Sequence, residues 1–127
     1  MKQRGRIKAV LPRTKYSNLV TEASVIGCYD VLRTVYPFCD WDLPDEVEVT
    51  VLDDVSAYGE FIEPNEINIS KALVWDINDL MRTVAHEMIH LKQHRLGKFK
   101  ETDPHDKLFW RMAREVCLSV GWKQEGF

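Results

Sequence analysis

Residues Asp76 to Gly97 read DINDLMRTVAHEMIHLKQHRLG, and this stretch decides the fold. Ile77, Leu80, Met81, Val84, Met88 and Leu91 recur at the spacing of one apolar helix face. Asp76 supplies an N-cap oxygen, Asp79 three residues on approximates a capping box, and Gly97 ends the helix. Well inside it lies HEMIH, from His86 to His90. Residues four apart stand one turn above each other, about 6 Å along the axis, so both imidazoles reach one ion from the same face. Glu87, rotated about a quarter turn from His86, falls beside such an ion rather than on it.

Upstream, Glu46 to Leu52 (EVEVTVL) alternates strictly, with Val47, Val49 and Val51 on one side and Glu48 and Thr50 on the other, as in a half-buried strand. Two short strands follow, Ala57 to Ile62 and Glu66 to Ser70, with Pro64-Asn65 turning them into an antiparallel hairpin. Tyr16 to Tyr36 reads as a helix, with Leu19, Ala23, Ile26, Val31 and Val35 near helical spacing and Pro37 as its stop. Phe38 to Asp45 reads as a loop. Downstream, Thr102-Asp103-Pro104 reads as a cap followed by proline at the first helical position. The last helix carries Leu108, Phe109, Met112, Ala113, Val116 and Val120 on one face and ends at Gly121. The order predicts an α+β domain: a small antiparallel or mixed three-stranded sheet packed against an N-terminal helix and the HEMIH helix, with a C-terminal helix.

Composition points the same way. The 127 residues suffice for one domain, expected over residues 16–127, after a basic arm over residues 1–15. Lys2, Arg4, Arg6, Lys8, Arg13 and Lys15 lie in that arm without a single acid, which leaves 11 bases against 20 acids in the remainder. An acidic body repels phosphate, so any contact with nucleic acid is expected through the arm alone. Cys28, Cys39 and Cys117 are widely spaced and form no CxxC pair, which argues for reduced thiols rather than a disulfide framework or zinc ribbon. No apolar run reaches the roughly 18 residues of a membrane span, and the first residues lack a signal-peptide core. The expectation is an intracellular (cytoplasmic) protein.

Two imidazoles at this spacing, with an acid between them, are a zinc pattern. Zinc accepts neutral imidazole, and a catalytic site keeps one position for water beside three protein ligands. His94 is a poor third ligand, its Cα about 12 Å along the axis from that of His86. His105 is better, 15 residues past His90 and across a loop, at the expected second position of the next helix. A satisfied core histidine is its alternative reading, and Glu101, Asp103, Asp106 and Glu115 are weaker candidate ligands.

HEMIH followed by PHDKLFWRMAREV (Pro104 to Val116) resembles the SprT-like metallopeptidase domain, which pairs HExxH with a later histidine segment. AYGEFIEPNEINISKAL (Ala57 to Leu73) resembles the strand-turn-strand that precedes the family's zinc helix. The likeness is to a minimal form without a zinc ribbon, and Asp106 stands where the family usually has glycine. It implies His86, His90 and His105 as zinc ligands, Glu87 as the catalytic acid-base, Phe109 as the family's aromatic, and Tyr58 on a strand near the site. Tyr58 and His94 are the candidates for an oxyanion stabiliser or for support behind the ligands. The expected activity is that of a zinc metalloendopeptidase acting on polypeptide. Two alternatives remain open: a catalytically silent zinc-binding interaction module, and a nucleic-acid-associated protein using the basic arm.

Overall fold

The structure, a computed structural model, describes residues 18–127; the expected basic arm and the start of the first helix at Tyr16 lie outside the described residues. Helix α1 spans Glu22–Leu32, strand β1 Glu48–Leu52, β2 Gly59–Ile62, β3 Glu66–Ser70, helix α2 Ile77–Arg95 and α3 Lys107–Val120. The fold is therefore the expected α+β arrangement. β3 lies in the middle of the sheet, antiparallel to β2 and parallel to β1, which makes the sheet mixed. The central position explains its residues: Ile67, Asn68, Ile69 and Ser70 are all buried, whereas β1 keeps Glu48 and Thr50 exposed. α2 packs against the sheet through β2 and β3 and is flanked by α1 and α3.

The first helix differs from its expected face. It begins where Thr21 and Ser24 form a reciprocal capping box, and its buried residues are Val25, Cys28, Tyr29 and Leu32. Ile26 and Val31, assigned to the inward stripe, are 41% and 58% exposed. Two faces of this helix carry apolar side chains at helical spacing. The one with Tyr29 wins because its ring packs inside while its hydroxyl donates to the Pro44 carbonyl at 2.6 Å. The stretch after it is more than a loop: Phe38–Asp40 forms a 3₁₀ turn, and Phe38, Trp41 and Leu43 are buried in the core.

The third helix starts three residues later than Pro104. Its cap is Asp106, whose side chain accepts from the Phe109 N–H at 3.0 Å. His105 consequently precedes the helix, exposed, rather than taking its second position. Gly121 closes α3 in the left-handed conformation, φ 82°. α2 matches its reading closely, with Asp76 accepting from the Asp79 N–H at 2.7 Å and Gly97 at φ 71° beyond its end. Ile77, however, is 59% exposed and adds nothing to the core. Among the described residues, no helix is long and apolar enough to cross a membrane.

Candidate metal centre

α2 carries His86 and His90, and the turn before α3 carries His105. Their ring centroids are 5.0 Å apart in every pair. The fully buried Phe109 ring lies 4.7–4.9 Å from all three and is the floor on which they rest. The α3 cap sets this up, because Asp106 starts the helix so that Phe109, three residues on, faces inward under His105.

Hydrogen bonds behind the rings decide which nitrogens face each other. The Nδ1 of His86 lies 2.7 Å from the main-chain oxygen of Phe127, which can only accept, so Nδ1 carries the proton. The Nδ1 of His90 lies 2.7 Å from Gln93 Oε1. That assignment of the amide follows from its other end, since Gln93 Nε2 donates to the Pro104 carbonyl at 3.0 Å and to Asp106 Oδ1 at 3.3 Å. In neutral rings both Nε2 atoms are therefore bare lone pairs. They point at the Nε2 of His105, at 3.0 and 3.3 Å. The three ligand atoms all lie within 4.8 Å of one another, so the group could hold a metal ion. Burial holds the His86 imidazole down to about pKa 4, with His90 adding to the effect, and burial likewise holds His90 at about 4. Both rings are thus neutral at neutral pH.

Glu87 is 4% exposed and reaches the same space from the β2 side. Burial, and then the charge of Glu60, push its carboxyl up to about pKa 8. Gly59 makes the approach possible: a Cβ there would stand 3.1 Å from Glu87 Oε2 and 2.7 Å from Thr83 Cγ2. Two cavities open from this point. One, about 420 Å³, is lined by Tyr58, Arg82, Glu87, His86 and Phe127 among others. The other, about 500 Å³, runs along β2 past Glu60, Phe61, Phe99 and Glu101.

Of the expected site residues, the structure brings His86, Glu87, His90 and His105 together. Tyr58 lines the first cavity, 52% exposed, just before β2. His94 is turned elsewhere, its Nδ1 2.7 Å from Glu63 Oε1 and outside the histidine group. Glu101 lines the second cavity, and Asp106 caps α3. Gln93, Gly59 and Phe127 escaped the sequence reading. Gln93 left one signal, its place three residues after His90 on the same helical face; Phe127 left none.

A family model of the SprT-like family matches residues 19–123. No curated protein and no solved structure was found to match. With HEMIH and His105 both inside a match that spans most of the sequence, the chain belongs to the SprT-like family.

Proposed function

We propose that this chain is a zinc-dependent metalloendopeptidase, with His86, His90 and His105 as ligands and Glu87 as general base. The observation that carries the reading is the convergence of the Nε2 lone pairs beside a buried carboxylate. The Nε2 lone pairs of His86 and His90 both turn to the His105 ring, where a proton or a cation between the nitrogens satisfies them, and three imidazoles beside an acid suit the cation. The ligand edges of a tetrahedron at zinc–imidazole distance measure roughly 3.3–3.4 Å. The separations of His105 from His86 and His90, 3.0 and 3.3 Å, lie near two of those edges, and all three nitrogens are within 4.8 Å of one another. Zinc there would polarise the scissile carbonyl and lower the pKa of a water toward about 7.

The remaining work falls to the chain's own side chains. Glu87 takes the attacking water's proton and passes it to the leaving amine. Its burial makes it a stronger base than a surface carboxylate, and a cation beside it favours the charged form that accepts the proton. Tyr58 is the remaining candidate for steadying the oxyanion, because its cavity includes Glu87 whereas His94 pairs with Glu63. Substrate adds as a strand to β2, which pairs only with β3 among the described residues. The cavity along that edge carries Glu60, Glu63 and Glu101, with Phe61 and Phe99, and no Lys or Arg. That lining favours a polypeptide with a basic side chain near the scissile bond.

The decisive measurement is zinc content together with casein cleavage for wild type and Glu87→Gln. Equal metal with cleavage lost in the variant is expected. No cleavage by wild type on several substrates would favour the silent zinc-binding module instead.

A second reading has one observation of its own. The basic arm lies outside the described residues, but a groove of about 880 Å³ beside His105 gathers Lys100, Lys107, Arg111 and Arg114 around Trp110, against Asp103 and Asp106. Bases with an exposed aromatic suit single-stranded nucleic acid. DNA titrations of Arg111→Glu/Arg114→Glu and of the chain lacking residues 1–15 separate the two surfaces. Binding lost only in the former assigns it to the groove.

A further inference from the structure

We propose that residues 122–127 form a clasp that positions His86, with Arg82 as its fastening. The inference rests on the metal-binding reading of the histidines but not on peptide hydrolysis.

The chain leaves α3 at Gly121, where the N–H groups of Gly121 and Trp122 both donate to the Cys117 carbonyl at 2.9 and 3.0 Å. It then folds back over α2. There Arg82 donates to the main-chain oxygens of Lys123 and Glu125, at 3.3 and 3.4 Å. The same guanidinium lies 5.5 Å from the centroids of both the Trp122 and Phe127 rings. One cation thus holds two carbonyls and two aromatic faces of a short segment. Gly126, at φ 79°, allows the tight final turn, in which the Phe127 N–H donates to Gln124 O at 3.0 Å.

The outcome of these ties is the placement of a single acceptor, the main-chain oxygen of Phe127, on Nδ1 of His86. That bond selects the tautomer whose Nε2 faces His105, the role Gln93 plays for His90 from within α2. Arg82 lies one turn before His86 on α2, so fastener and target ride on the same rigid element. Phe127 also packs its ring 5.6 Å from that of His86. Residues 124–127 lie past the end of the family match.

The test uses the metal-free full chain, a variant lacking residues 124–127, Arg82→Ala, and the two combined. Zinc affinity is measured by competition with a chelator, and the His86 tautomer by imidazole-nitrogen NMR without metal. The deletion and Arg82→Ala are each expected to weaken zinc binding about 10- to 100-fold. The combination should lose no more than the deletion alone, because both act through one bond. The wild-type ring should show the Nδ1–H tautomer alone, and the deletion a mixture of two. Unchanged zinc affinity in the deletion, an unchanged tautomer, or effects that multiply in the combined variant would overturn the clasp. An Arg82 that only met substrate would leave zinc affinity untouched. If the deletion fails to fold by circular dichroism, Arg82→Ala carries both readouts. The tautomer measurement needs no metal, so a wild type that binds no zinc refutes the metal reading while the clasp is still judged on the spectrum.

Discussion

Gly59→Ala offers the sharpest probe of how Glu87 is placed. An added Cβ would meet Thr83 Cγ2 at 2.7 Å, Asn68 O at 3.0 Å and Glu87 Oε2 at 3.1 Å. Two of these neighbours cannot give easily. The Asn68 oxygen belongs to the central strand, and the Thr83 hydroxyl is tied to the Asp79 carbonyl at 2.7 Å, which fixes its methyl. Carbon atoms rest about 3.5–4.0 Å apart, so relief requires a displacement of roughly 1 Å between β2 and α2. Overpacking of this kind costs about 1–3 kcal/mol of stability. A 1 Å misplacement of a catalytic group costs about 100-fold in rate. The three nearest neighbours of the added carbon include no histidine, so zinc content should stay at the wild-type level. The assay is cleavage of a casein or peptide substrate with kcat and KM separated, alongside zinc content and a thermal melt. Thr83→Ser removes the nearest contact while keeping the hydroxyl, and should restore part of the rate in the Gly59→Ala background. Full kcat with unchanged stability in Gly59→Ala would refute the idea that β2 sets the position of Glu87.

Other outcomes follow from the same geometry. Gln93→Ala leaves His90 Nδ1, the Pro104 carbonyl and Asp106 without their shared partner, so it should lower zinc affinity about 10- to 100-fold. It should also destabilise the fold by about 1–3 kcal/mol in urea unfolding, and wild-type values for both would refute this bridge. His105→Ala is expected to lose zinc far more readily than His94→Ala, since only His105 faces the other two histidines of the group; equal retention in both would exclude His105. In the metal-free protein His86, Glu87 and His90 together should contribute most to stability near pH 6.5. Below it the unfolded state binds protons that His86 and His90 refuse until about pH 4, so stability falls as pH drops. Above pH 4.5 the folded Glu87 keeps a proton that the unfolded chain has lost, so its contribution falls until about pH 8. The two histidines outweigh it down to pH 4.5, so the net contribution of the three groups falls on either side of pH 6.5. Urea unfolding across this range should show the alkaline decline in wild type and not in Glu87→Gln; a decline retained in the variant refutes the assignment.

The elements nearest the site were the most legible. α2 combines an N-cap, an apolar stripe and a glycine stop within one continuous stretch, and local rules suffice for such a segment. The hairpin of β2 and β3 was readable for the same reason, its turn and both strands being neighbours in sequence. α1 was harder, because two faces carry apolar side chains and only the partner surface chooses between them. The start of α3 was ambiguous in a comparable way: Thr102, Asp103 and Asp106 can all cap a helix. Asp106 is the one that also meets Gln93, a contact made by a residue 13 positions earlier.

What the amino-acid order determined by itself was the pair His86–His90 and the acid beside it, since a helix repeats every 3.6 residues wherever it is placed. It also nominated His105 by its chemistry and spacing. Only the tertiary structure decided the tautomers, through Gln93 and Phe127, the close approach of Gly59 to Glu87, and the parallel pairing of β1 with β3. These are contacts between segments distant along the chain or between a side chain and a particular backbone atom. No local periodicity encodes them, because they depend on how packed elements exclude water and space from one another.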